Sequence, residues 1–245
     1  MQKNITKPEE SPSILKKIYT SGAYLEKHPH WHVEESPWKA QQIMRMLMQH
    51  HITPSTVCEI GSGAGEILRQ LQDKLDEKCM FWGYDISPQA ISMAQGKANE
   101  RLQFKLADIQ EEQGKPFDLI LVMDVLEHIE DRFGFLHNIK PKAEYKIFHV
   151  SLTVSVQTVL RKRGLLKLRE EYGMVNYFTK ETLLQTLKDA GYEIIDHFYT
   201  TGCTDLPTRE FKRKLMKYPR KLLFRLNQDF TSRVLGGYRL LVLTK

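Results

Sequence analysis

Several features that define particular protein classes are absent from this sequence. It contains no run of about 18 apolar residues, the length that a membrane-spanning helix needs, so no membrane span is expected. The first ten residues lack the apolar stretch of a secretory signal, and we therefore expect a cytoplasmic protein. There is no internal repeat and no low-complexity tract. A chain of 245 residues with 41% hydrophobic residues suits one α/β domain with insertions.

Cysteine is also scarce. The three cysteines, Cys58, Cys79 and Cys203, are an odd number and form no C-x-x-C pair. This pattern is not that of a disulfide framework or a cysteine-based metal site. We expect buried, reduced thiols, as in a cytosolic protein.

Positive charge is confined to one segment. The net charge is +6, but residues 209–225 hold eight basic residues against Glu210, so the remainder of the chain carries −1. The preferred interpretation is an amphipathic helix that packs its apolar side over a pocket and leaves its lysines solvated. An anionic acceptor, nucleic acid or an anionic membrane surface are the functional alternatives. Nucleic acid is not favoured, because aromatic residues are sparse between the charges.

Three alternating glycines are the most informative motif. A short apolar run ending at Ile60 leads into Gly61, Gly63 and Gly65, and a helical pattern begins at Glu66. Strand, glycine turn and helix let the backbone approach a nucleotide-like ligand. A second predicted strand ends at Asp85, 20 residues after the last glycine, where an acidic side chain can accept both hydroxyls of a ribose.

The spacing of these glycines favours a ligand without phosphates. The dinucleotide fingerprint G-x-G-x-x-G/A requires a small residue where this chain has Glu66. Glu66 also places negative charge at the helix N-terminus, where a pyrophosphate would lie. S-adenosylmethionine carries a ribose and no phosphate, and it fits better.

Four motifs in order resemble the class I S-adenosylmethionine-dependent methyltransferases of the small-molecule type, over roughly residues 40–200 and the last strand. They are Glu59 to Gly65, Gly83 to Pro88, Leu106 to Ile109, and Phe117 to Ile129. The resemblance implies S-adenosylmethionine as cofactor, an acid at 85 on the ribose and an acid at 108 on the adenine amino group. The implied cofactor-binding residues are Glu59, Gly61, Ser62, Gly63, Asp85, Ile86, Asp108, Ile109 and Asp124. Asp85 has a simpler alternative role as a helix cap.

The alternation of strands and helices predicts an α/β fold. We expect a Rossmann-like, doubly wound, mostly parallel seven-stranded sheet with an antiparallel last strand and helical cap insertions. Residues 1–36 form an N-terminal segment or cap, and 37–245 form the methyltransferase domain with insertions at 152–178 and 200–235. Ser36 is a predicted N-cap. Thr179 is another, without a full capping box, because Thr182 stands where an acid is usual.

Candidate acceptor-binding residues are Trp31, His32, Trp38, Met174 and Tyr177. For the tryptophans, packing of the first helix on the sheet is an equal alternative. His128, His149 and Tyr177 are the candidate acids or bases, although for His149 a hydrogen-bonded residue at a strand end is the preferred interpretation. In similar bacterial methyltransferases a Gly-His pair precedes Tyr-Phe, but this chain has Met174 and Val175 after Gly173.

The expected reaction is methyl transfer to a small organic acceptor, and oxygen is the expected methylated atom. The alternative is a metal-assisted RNA 2′-O-methyltransferase, whose E-x-x-E-H ligand set would correspond here to Asp124, Glu127 and His128. A third alternative is a cofactor-binding protein that no longer transfers methyl groups. The Pro-Pro-aromatic motif of amino-methylating DNA enzymes is absent after the fourth strand, which argues against adenine or cytosine amino groups as acceptors.

Overall fold

The computed structural model describes residues 19–22, 25–26, 31, 33–206 and 211–245, except the side chains of 203 and 211–216. His32 lies outside the described residues. Within the described part of the chain, no helix has both the length and the apolar character to cross a membrane.

A single seven-stranded sheet organises the molecule. Its strands are β1 (Thr56–Ile60), β2 (Met80–Asp85), β3 (Leu102–Leu106), β4 (Phe117–Met123), β5 (Ala143–Leu152), β6 (Ile194–Thr200) and β7 (Tyr238–Thr244). Their order is β3-β2-β1-β4-β5-β7-β6, and β7 runs antiparallel to both of its neighbours. This confirms the predicted fold class. From β1 the chain adds β2 and β3 on one side, and it then returns to add β4 and β5 on the other. At such a reversal of strand order, a crevice opens beyond the carboxyl ends of β1 and β4.

Helices cover both faces of the sheet. They are α1 (Ser36–Gln49), α2 (Glu66–Gln72), α3 (Pro88–Gln95), α4 (Arg132–Ile139), α5 (Val156–Leu160), α6 (Gly164–Tyr172), α7 (Lys180–Asp189), α8 (Gly202–Asp205), α9 (Phe211–Leu226) and α10 (Gln228–Leu235). One face packs against α1, α2 and α3, and the other against α4 and α7. Both clusters contain side chains that are fully buried, such as Leu68 and Leu183, and this burial is the main stabilising contribution of the sheet.

Two details of helix capping differ from the sequence prediction. Ser36 is already helical and Glu35 precedes it as the N-cap, with no side-chain cap hydrogen bond. Helix α7 does have a capping box: Thr179 Oγ1 accepts from the backbone N of Thr182, and Thr182 Oγ1 accepts from the backbone N of Thr179 at 2.9 Å. The prediction was wrong because a threonine hydroxyl accepts this hydrogen bond as an acid does.

Both insertions are helical, and they meet. The guanidinium of Arg220 on α9 donates to Gln157 Oε1 on α5 at 3.2 Å and to the carbonyl oxygens of Leu235 and Gly236. Phe224 stacks on Tyr238 of β7, with ring centroids 4.7 Å apart. The inserted helices therefore form one layer anchored to the β5, β7, β6 end of the sheet.

The side chains of two of the three cysteines, Cys58 and Cys79, are described, and both are buried free thiols. Burial raises the pKa of Cys58, and it raises the pKa of Cys79 to about 12. Neither thiol is available as a nucleophile near neutral pH.

Candidate active site

The glycine turn after β1 has the backbone that the motif predicts. Gly61, Gly63 and Gly65 have φ values of +68°, +53° and +76°, a region that residues with a Cβ rarely occupy. A Cβ at Gly61 would lie 2.6 Å from Val125 Cγ2, and one at Gly63 would lie 2.5 Å from Trp31 Cδ1. The bare main chain is therefore a steric requirement of the turn.

Asp85 fastens this turn to the end of β2. Its Oδ2 accepts from the backbone N of Gly63 at 2.8 Å, and its Oδ1 accepts from the backbone N of Ser87 at 2.8 Å. Burial raises the pKa of Asp85, and these backbone hydrogen bonds oppose the rise. The N-cap of α3 is Ser87, whose Oγ accepts from the backbone N of Ala90. Asp85 is thus not the helix cap of the alternative interpretation.

A cavity of about 550 Å³ lies over the glycine turn. Eight of the nine candidate cofactor-binding residues line it; the ninth, Ile109, is a core residue that is 3% exposed. The other lining residues are Tyr19, Trp31, Val33, Ser36, Lys39, Ala64, Glu66, Ile67, Gln110, Met123, Val125, His128, Ile129, Glu130, Asp131 and Phe135. This volume is in the range of small-molecule sites. The strand ends therefore converge on one ligand-sized space.

Buried polar atoms in this cavity fit a polar, phosphate-free ligand. Glu59 Oε2 and Ser62 Oγ are buried and have no hydrogen-bond partner. Burial raises the pKa of Glu59 well above its usual range. Such atoms are costly unless something bonds to them, and the adenosyl and amino groups of S-adenosylmethionine are donors of the required kind. Asp108 lies at the cavity wall, where its carboxylate holds Gln110.

Asp124 stands at the centre of a buried charge network. Its Oδ2 is 2.7 Å from Lys39 Nζ, and its Oδ1 is 3.2 Å from His149 Nδ1 and 3.5 Å from Arg239 Nε. Burial alone would raise the pKa of Asp124, but these neighbours hold it well below its usual range. The residue has a φ of +57°. The network joins α1, β5 and β7 beneath the cavity.

His128 is the histidine that faces the cavity. Its Nδ1 is 3.0 Å from the hydroxyl of Tyr19, and that hydroxyl donates to the carbonyl oxygen of Tyr172 at 3.0 Å. Burial lowers the pKa of His128, against the raising effects of Gly173 and Asp124. The ring is therefore neutral near pH 7 and can accept a proton.

The remaining candidates do not line the cavity. His149 is fully buried, with Nε2 2.9 Å from Thr200 Oγ1 and its ring edge-on to Trp38. Tyr177 donates its hydroxyl to the carbonyl oxygen of Met174. His149 is thus a hydrogen-bonded residue of the core, and Trp38 packs α1 against it. These are the structural roles that the sequence left open as alternatives. Trp31, in contrast, lies directly against Gly63 and lines the cavity.

The alternative metal ligands do not assemble. In the part of the chain that the structure describes, no group of three or more His, Cys, Asp or Glu residues could hold a metal ion. The carboxylate of Asp124 forms an ion pair with Lys39, and Glu127 Oε1 accepts from the backbone N of Ser151 at 2.5 Å. His128 is bonded to Tyr19. These protein contacts do not favour a metal site at the three residues, and the metal-assisted alternative stays a prediction.

Tyr19 and Lys39 are the site residues that the motif analysis missed. Tyr19 lies in the N-terminal segment 14–36, which is unusually rich in tyrosine, tryptophan and histidine. This composition is what could have indicated a site residue there. Lys39 stands four residues after Glu35 on α1, a spacing typical of an ordinary surface ion pair. The described residues of the two insertions do not line this cavity, and their role as caps over the acceptor stays a prediction.

The comparisons with known proteins agree with this geometry. Residues 32–197 match a family described as a methyltransferase domain. No curated protein sequence matches the chain. Similar solved structures include magnesium protoporphyrin IX methyltransferase from Synechocystis with bound S-adenosylhomocysteine, at 16% identity and TM-score 0.60, covering 95% of this chain and 97% of that one.

Two further structures are comparable. The plantazolicin methyltransferase complex with a substrate analogue and S-adenosylhomocysteine has 16% identity and TM-score 0.61, covering 94% and 92%. A Haloferax volcanii methyltransferase bound to the activator Trm112 also has 16% identity and TM-score 0.61, covering 95% and 96%. At these identities the structures show the fold. Together with the family match over most of its length, they establish that the chain belongs to the methyltransferase-domain family and is a class I S-adenosylmethionine-dependent methyltransferase.

Proposed function

We propose that this enzyme methylates a hydroxyl oxygen of a small organic acceptor. The observation that carries the proposal is His128, a neutral histidine held at the cavity wall by Tyr19. Methyl transfer to an alcohol or phenol requires loss of a proton, whereas transfer to a free amine does not need a base at the reacting atom. A base placed beside the cofactor cavity therefore favours oxygen.

The residues divide into binding and proton-holding groups. Bound S-adenosylmethionine supplies an electrophilic methyl group on a sulfonium. Glu59, Asp85 and the glycine turn would hold the amino acid and adenosyl parts, and Trp31 would exclude water from above Gly63. These residues act by positioning and by removing solvent.

The ring of His128 has protein contacts that hold it in place. Its Nδ1 lies 3.0 Å from the Tyr19 hydroxyl, which donates its proton to the carbonyl oxygen of Tyr172, and the backbone of Gly173 also bonds to the ring. The neutral ring carries one N–H, and its other nitrogen would take the acceptor's hydroxyl proton as the methyl group is transferred.

The test combines cofactor binding with turnover. Calorimetry should show that wild type and His128→Asn bind S-adenosylmethionine with similar affinity. Turnover with panels of phenols, alcohols, carboxylates and amines should give O-methyl products, and His128→Asn should lower kcat about 10²- to 10⁴-fold. His137→Asn, on the exposed side of α4, is the matched control and should be unaffected.

The pH profile gives a second check. Because burial lowers the pKa of His128 from its ordinary value of 6.5, the acid limb of kcat should lie below pH 6.5 and should vanish in His128→Asn. Products methylated only on nitrogen or carbon would overturn the assignment to oxygen. Tight cofactor binding with no turnover on any panel would indicate a protein that has lost transferase activity.

A further inference from the structure

The exposed apolar side chains of this protein are concentrated on the inserted helices. Nine of the large apolar residues exposed in the described part of the chain lie there, and three, Met48, Leu106 and Ile195, lie elsewhere. The nine are Val156, Val159, Leu160, Leu166, Tyr218, Leu222, Leu223, Leu226 and Phe230. An accumulation of this kind marks an interaction surface, whereas scattered single residues do not.

Helix α9 shows how this surface arises. Tyr218, Leu222 and Leu226 follow one another at intervals of four, so they share one side of the helix; they are 82%, 61% and 75% exposed. Phe224 lies on the opposite side, where it stacks on Tyr238. The helix thus has an inner apolar side that anchors it and an outer apolar side that is exposed. The preferred sequence-based interpretation was one apolar side packed over a pocket, and an anionic membrane surface was one of the functional alternatives for this segment.

The other insertion continues the surface. Val159 and Leu160 on α5 are 61% and 79% exposed. The hydrogen bond from Arg220 to Gln157 fixes α5 against α9. The exposed side chains of the two insertions therefore belong to one layer of helices.

This layer is also positively charged. The basic residues Arg161, Lys162, Lys167, Arg169 and Arg225 are exposed and form no ion pair within the residues that the structure describes. The acids of α6 are Glu170, which pairs with Arg163, and Glu171. Unpaired cations beside exposed leucines match the chemistry of anionic lipid headgroups above an acyl layer.

We propose that the inserted helices dock this enzyme on the surface of an anionic lipid bilayer. The leucine, valine and aromatic side chains enter the boundary between headgroups and acyl chains, and the arginines and lysines contact the headgroups. Nucleic acid fits less well. Its phosphates would contact the cations but not the exposed aliphatic side chains, and its bases stack on aromatic side chains. No described residue of this layer lines the cofactor cavity, so this inference goes beyond the proposed function.

Vesicle sedimentation with the full chain tests the proposal. Wild type should bind vesicles of mixed phosphatidylcholine and phosphatidylglycerol and should bind pure phosphatidylcholine weakly. Leu222→Ser/Leu226→Ser should weaken partitioning about tenfold or more, and each of Lys162→Gln and Arg225→Gln about fivefold. Met48→Ser and Lys74→Gln are the matched controls on exposed positions outside the layer and should bind as wild type does.

Three results would overturn the proposal. These are absence of binding to the anionic vesicles at low salt, equal binding by the double leucine variant, and an equal loss in the two controls. Capture of an RNA duplex that is unaffected by the leucine changes, without vesicle binding, would assign the charge to nucleic acid. Cofactor affinity measured on the same samples verifies that each variant is folded.

Discussion

Lys39→Met tests whether the buried charge network holds the active site together. Lys39 Nζ lies 2.7 Å from Asp124 Oδ2 and 3.6 Å from Glu35 Oε2, and only 10% of its side chain is exposed. Methionine keeps most of the apolar stem and removes the charge. The change therefore separates the ion pair from the packing of α1.

The expected loss follows from the distances. Two unit charges 2.7 Å apart attract by roughly 6 kcal/mol at an effective dielectric constant of about 20, which is an upper bound. Breaking a buried pair usually costs about 3–5 kcal/mol, because one charge is left without a partner. Here Arg239 Nε still lies 3.5 Å from Asp124. We therefore expect the free energy of unfolding to fall by about 2–4 kcal/mol.

Urea denaturation at several pH values measures this loss. Asp124 has a depressed pKa in the folded protein, so its charge adds stability above its unfolded pKa of about 4 and loses it as the pH falls toward the folded value. The unfolded state is the same for both proteins, so the gap between wild type and Lys39→Met should narrow as the pH falls through the folded-state pKa of Asp124 in the variant, where Lys39 no longer lowers it.

The matched control is Lys105→Met. Lys105 pairs with Glu112 at 2.5 Å, but 55% of its side chain is exposed, and exposed pairs contribute about 0–1 kcal/mol. Equal losses for the two lysines, or a gap that does not narrow in acid, would refute the reasoning.

Three further predictions concern single positions. Gly63→Val should weaken S-adenosylmethionine binding between about ten- and hundredfold, because a Cβ meets Trp31 at 2.5 Å and φ is +53°; wild-type affinity by calorimetry would contradict this. Asp85→Ala should lower both stability and affinity by about 1–3 kcal/mol, since it removes the partner of two backbone N–H groups; unchanged affinity would limit Asp85 to fastening the turn. Burial and the charge of Asp124 raise the pKa of Glu127 to about 7, so its contribution to stability is full below about pH 4.5 and is lost toward pH 7. Glu127→Gln should flatten that slope in denaturation curves, and an identical slope would contradict the assignment.

The sequence was sufficient for the parts of this protein that depend on backbone geometry. The three glycines require positive φ, and the apolar runs alternate with helical patterns, so the order of strands and helices followed directly. The cofactor side of the site followed from the same turn, because parallel strands end at one edge of the sheet. The reversal at β7 came from the family resemblance, since nothing in its residues indicates direction.

The acceptor side could not be derived in this way. From the sequence, Lys39 has the pattern of a solvated lysine on a helix. Only the packing of α1 against the loop that holds Asp124 shows its ion pair. His149 and His128 both stand near strand ends, and only the packing shows that Thr200 and Trp38 enclose the first while the cavity receives the second. These distinctions depend on side chains that are more than 20 residues apart in the chain, and periodicity carries no information about such contacts.

The segment after α6 has a structural role that explains its departure from the expected Gly-His pair. The backbone N atoms of Val175 and Asn176 donate to the carbonyl oxygen of Glu127 at 2.8 and 3.0 Å. Asn176 Nδ2 also donates to the carbonyl oxygens of Leu126 and Ile129. The segment therefore holds the backbone on both sides of His128. In the proposed function His128 is the proton acceptor, so this segment would not need to supply a base of its own. Weakening these contacts by Asn176→Ala should accordingly lower kcat more than it lowers cofactor affinity, whereas a segment that contacted the cofactor would change both together.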